Sequence, residues 1–150
     1  MAFRTVYSLR TKLERNPKYV AEVQARSLDN RTLPGGLKGT HGLFGTQAWW
    51  ASVENGALPV ILLEGVIGKV YLSGMENNSH DFEMWTDDGA TYRYTCVADA
   101  KTDKKSYVPG RKIRLRYAVE ELKIPISGPS GPIMYTDTIL EIALDETTPG

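Results

Sequence analysis

Residues 81–97, DFEMWTDDGATYRYTCV, decide how this chain folds. Two runs that alternate apolar and polar residues flank Asp87-Asp88-Gly89. That triplet predicts a type I turn with Gly89 in the left-handed region and a G1 bulge. The connection pairs Glu83 with Arg93, Phe82 with Tyr94 and Met84 with Tyr92. Phe82, Met84, Tyr92, Tyr94 and Cys96 then share one apolar face, and Glu83, Trp85, Thr91, Arg93 and Thr95 share the other. A two-residue turn at Asp88-Gly89 would carry Arg93 onto the apolar face, so the pattern selects the bulged turn.

Working outward, Val60–Leu72 (VILLEGVIGKVYL) reads as a long strand bent at Gly65 and Gly68, because glycine inside a strand marks a bend or a close approach. Ser73–His80 is a polar loop. Ala98–Gly110 has room for one helical turn near Asp103–Tyr107, and Pro109-Gly110 signals a turn. Arg111–Val119 alternates, with Ile113, Leu115, Tyr117 and Val119 inward. Pro125–Thr136 is rich in proline and glycine and reads as a loop. Asp137–Leu144 is the last strand, with Thr138, Leu140, Ile142 and Leu144 inward, and residues 146–150 are a frayed tail.

Upstream, Asn16-Pro17 predicts a helix over 17–28, with Asn16 as N-cap, Pro17 in the first turn, and Tyr19, Val20, Val23 and Leu28 as its stripe. A hairpin of Phe3–Leu13 and Lys18–Leu28 is the competing reading. Leu33–Gly45 is a glycine-rich loop without the spacing of a phosphate-binding loop. Thr46–Asn55 reads as a short helix capped by Thr46 and Gly56, with Trp49 or Trp50 facing a core. The whole is one domain over 1–150: an N-terminal arm with one or two short helices (1–58), then a mainly β part (59–145).

This order of a glycine-bent strand, a hairpin, a polar segment and two further strands resembles an OB fold over residues 59–145. The bent first strand and the entry VPGRKIRLRY (108–117) carry the likeness. The resemblance implies a five-stranded Greek-key barrel. Gly42–Trp50 (GLFGTQAWW) is also similar to segments of small bacterial proteins, a likeness that implies no activity.

Composition bounds the function. The 150 residues carry 18 basic and 18 acidic side chains, a formal net charge of zero. The zero is uneven: residues 1–40 hold eight basic and three acidic residues, a balance of +5, against −5 for the remainder. Docking of the basic arm on the acidic part is the plain explanation. A single cysteine excludes an intramolecular disulfide framework and a cysteine-rich zinc site. No apolar run approaches the ~20 residues of a membrane helix, and Met1–Arg15 has no apolar core of a signal peptide. A cytoplasmic protein without membrane contact is expected.

An OB-like barrel would gather Lys69, Tyr71, Trp85, Arg93, Arg114 and Arg116 on one outward surface. Bases stack on such rings while cations follow phosphates, so single-stranded nucleic acid is the alternative partner. The plainer reading of these positions is a solvated strand face. No catalytic residues, metal site or cofactor are expected: His41 and His80 fall in loops, no nucleophile comes with a base, and Cys96 lies on the core face. The expected function is therefore a non-enzymatic binding module that contacts a protein partner or a second copy of itself.

Overall fold

The computed structural model describes residues 2–29, 36–74 and 79–147. Parts of the loops expected at 33–45 and 73–80, and the last three residues of the tail, lie outside them. Among the described residues six strands and three helices follow in order: β1 (Phe3–Ser8), α1 (Leu9–Arg15), α2 (Pro17–Leu28), α3 (Gln47–Asn55), β2 (Val60–Ser73), β3 (Ser79–Thr86), β4 (Thr91–Thr95), β5 (Lys112–Gly128) and β6 (Gly131–Asp145). A 3₁₀ turn spans Lys101–Ser106, where a helical turn is expected.

The protein is mainly β with short N-terminal helices, as the pattern requires. The sheet corrects the five-stranded barrel. It has six strands in the order β1-β6-β5-β2-β3-β4, with β1 and β4 at its ends. The added strand is β1, which pairs antiparallel with β6, Phe3 opposite Asp145. The loop expected at Pro125–Thr136 is instead the end of a long β5–β6 hairpin that turns between Gly128 and Gly131. Glycine at both ends of the turn masks a strand pattern there, and Gly131 takes φ 123°.

The chain forms two compact units. The first comprises 2–11, 62–116 and 140–147. Its core contains Val6, Ile67, Phe82, Met84, Ile113, Leu115, Ile142 and Leu144, all nearly inaccessible. The β3–β4 register is the expected one, Glu83 opposite Arg93 and Phe82 opposite Tyr94, with Gly89 at φ 86°. The β2–β3 register slips between Ile67 and Lys69, a bulge at Gly68. A Cβ on Gly68 would lie 2.3 Å from the Trp85 ring, and one on Gly65 would lie 2.3 Å from the Trp85 carbonyl oxygen. Both glycines are demanded by close approach. Arg4 of β1 makes a two-pronged contact with Asp103 at 3.0 Å and also binds Glu146.

The second unit comprises 12–61 and 117–139. Helix, not hairpin, occupies 17–28. Asn16 precedes it as expected, but its side chain donates back to the Lys12 carbonyl at 2.8 Å rather than capping α2. The stripe expected on α2 is not buried: Tyr19 and Leu28 are exposed and α2 has no buried residue. The Lys123 ammonium donates to the carbonyls of Arg26, Ser27 and Asp29 at the end of α2, where a cation is favoured by the helix dipole. In α3, the Thr46 hydroxyl accepts from the Trp49 N–H, and Gly56 closes the helix at φ 83°. Trp49 is fully buried and meets Phe44 and Trp50 edge-on.

Candidate functional site

In the first unit the hairpin places Trp85 on the outward face of β3. It is 51% exposed. One face of its indole covers Gly68, and its Nε1–H donates to Glu83 at 2.9 Å. Arg93 Nε donates to the same carboxylate at 3.1 Å, and Lys69 Nζ lies 3.8 Å from it. Glu83 is therefore nearly buried beneath three side chains. The Trp85 hydrogen bond, then the Arg93 bond and the Lys69 charge, hold it below the usual carboxylate range. Lys69 also sits 5.3 Å from the Tyr71 ring centre.

Four of the six expected residues thus meet: Trp85, Arg93, Lys69 and Tyr71. Arg114 belongs to a different cluster, paired with Glu64 at 3.4 Å and stacked over Phe3 at 4.1 Å. Arg116 is exposed on β5. The cations that would track phosphates are largely occupied by Glu83 and Glu64, and nothing supports a nucleic-acid interface.

The residues considered for chemistry stay apart. Asp81 accepts from Ser73 and Ser79, which keeps its carboxyl below the usual value, led by the Ser73 bond. His80 is exposed and lies on β3 rather than in a loop. Cys96 is buried, and burial pushes its thiol up to about 11, which makes it a poor nucleophile. Among the described residues no group of His, Cys, Asp and Glu is placed to hold a metal, and no helix is long and apolar enough to cross a membrane.

Glu120 was not legible as a site residue. It sits on β5 in the second unit, 6% exposed. Its carboxylate accepts from Trp49 Nε1 at 3.2 Å and from the Thr138 hydroxyl at 3.3 Å. Burial raises its pKa, against the opposing effects of Trp49, Thr138 and His41. It lines a cavity of about 230 Å³ together with Lys38, His41, Leu58, Pro59 and Tyr135. The alternation of 113–119 assigns position 120 outward; burial there reflects side chains packed on both sides of β5. The one available signal was Trp49, whose buried indole N–H needs an acceptor.

Residues 3–145 match the family described as Immunity protein RhsI2. The chain belongs to that family. A comparison with curated proteins returns no match. The match to the RhsI2 immunity protein family spans the six strands and three helices found among the described residues. Membership in an immunity protein family agrees with a protein-binding role.

Proposed function

We propose that this chain neutralises a protein toxin by binding it, and that the Trp85 surface is part of the contact. The observation that carries the reading is the match of residues 3–145 to an immunity protein family. The Trp85 cluster supports the location. An indole pinned by Gly68 and Glu83 is ordered before binding, which removes part of the entropic cost of association. Tryptophan flanked by arginine is the usual composition of an interface hot spot. Arg93 and Lys69, 68% and 58% exposed at their side chains and paired with Glu83, frame the indole with long side chains that a partner can pack against.

The test is complex formation between the purified chain and its toxin on a sizing column, with Trp85→Ala and Arg93→Ala beside the wild type. A stable complex that both substitutions weaken supports the reading. A complex indifferent to both moves the contact elsewhere, and absence of any complex removes the function.

A further inference from the structure

We infer that the cavity floored by Glu120 is a receptor for an alkylguanidinium group, the side chain of an arginine presented by the protein partner. Among the described residues the site is built around a carboxylate with neutral hydrogen-bond donors and no lysine or arginine paired to it; His41, which lines the same cavity, acts on that carboxylate through charge alone. Its two hydrogen bonds come from an indole and a hydroxyl at 3.2 and 3.3 Å, the long end of the range for such contacts. A carboxylate has about four acceptor positions, so two remain open. The nearest lysine of the cavity is engaged elsewhere: Lys38 Nζ lies 3.3 Å from Glu121 Oε1. Burying an ionised carboxylate without a cation is costly, and a guanidinium is the group that offsets that cost.

The remaining walls select the stem. Leu58, Pro59 and Val119 offer apolar surface to methylene groups, and the exposed ring of Tyr135 lines the same cavity. A guanidinium is planar, is weakly hydrated, stacks on aromatic rings and matches a carboxylate with a rigid fork, which an ammonium does not. The volume of about 230 Å³ is smaller than the roughly 300–1,000 Å³ that encloses a drug-sized molecule. It admits one side chain.

The pocket can be tested without the toxin; its assignment to a partner's arginine rests on the toxin-binding reading. The full-length chain, labelled with ¹⁵N, is titrated with ethylguanidinium and with uncharged ethylurea at constant ionic strength, following the Trp49 indole N–H resonance. Ethylguanidinium produces a saturable shift and ethylurea does not. Glu120→Gln weakens the response by at least about tenfold, the loss of one charge-assisted hydrogen bond. Lys38→Met, at an exposed position, strengthens it by removing a like charge. No saturable shift, an equal response to ethylurea, or an unchanged response in both variants overturns the pocket. In a second arm, Glu120→Gln weakens the toxin complex if the guanidinium belongs to the toxin. An unchanged complex alongside normal ethylguanidinium binding assigns the pocket to a free small cation instead. A wild-type chain that forms no complex fails the toxin reading alone, while the titration still decides the pocket.

Discussion

The Trp49 indole N–H donates to Glu120 Oε2 at 3.2 Å, joining a fully buried tryptophan on α3 to a carboxylate on β5 that is 6% exposed. This bond ties the second unit together through a charge that the fold has to keep out of water. The first prediction concerns its energy. Trp49→Phe keeps most of the apolar surface, loses the donor and leaves Glu120 with Thr138 alone. We expect a loss of about 2–4 kcal/mol in urea denaturation, the sum of a hydrogen bond to a charged group and a small cavity. The cost is smaller in a Glu120→Gln background, because the two residues are in direct contact and their effects are not additive.

Glu120→Gln itself stabilises the protein at neutral pH. Burial raises the folded pKa of Glu120 above its ordinary value of 4.5. Between that value and the raised one, the folded state holds more protons than the unfolded state. Stability from this group is therefore full below 4.5 and is lost as pH rises through the folded pKa. Glutamine keeps an acceptor for Trp49 and carries no charge. Thermal melts at pH 7 should show the variant a few degrees higher, since about 1 kcal/mol moves a domain of this size by roughly 2–4 °C. The difference narrows as the pH is lowered toward 4.5. A variant less stable than wild type at pH 7 shows that the ionised carboxylate is not a cost. A stabilising change that removes guanidinium binding is the trade expected of a site held for function.

Two glycines of the first unit separate strain from collision. Gly89 has φ 86° with open space around its missing Cβ, whereas Gly68 is covered by the Trp85 ring. Gly89→Ala pays only for the left-handed conformation, about 1–2 kcal/mol. Gly68→Ala forces the indole off the strand, at about 1–3 kcal/mol of overpacking. The Trp85 indole resonance reads the difference: it moves strongly in Gly68→Ala and little in Gly89→Ala. Equal displacement in both would mean that Trp85 is not held by Gly68.

Arg93→Ala separates binding from folding. The Arg93–Glu83 pair joins an arginine 68% exposed to a carboxylate 11% exposed at the side chain; Trp85 and Lys69 still serve Glu83 when Arg93 is removed, so the loss is expected to stay at about 1 kcal/mol. The urea midpoint should move little while the toxin dissociates faster. A large loss of stability would make Arg93 a structural residue and remove it from the contact.

The hairpin was legible because one charged residue discriminates between its registers: Arg93 cannot share a face with Phe82 and Met84. Gly68 was legible as a bend, although the sequence does not reveal that Trp85 fills the space it leaves. A strand at β1 was legible only within the competing hairpin of Phe3–Leu13 and Lys18–Leu28, with the wrong partner, and the outer half of the β5–β6 hairpin was not legible. Proline and glycine at 125–132 carry turn signals whether they end a strand or cap a long hairpin, and β1 pairs with β6, a partner more than 130 residues away. Of the candidate sites, Trp85 and Arg93 follow from alternation. Glu120 does not, because its burial depends on contact with Trp49, 71 positions away.

The central claim is that this chain neutralises a toxin by occupying it. The most direct measurement is residual toxin activity at fixed toxin concentration as the chain is added, read after increasing incubation times. The account predicts a linear fall that ends at one chain per toxin and does not change with time, and a much shallower fall for Trp85→Ala. Complete neutralisation by a small fraction of an equivalent, deepening with incubation, would reveal turnover and contradict it; so would activity that no excess of chain reduces.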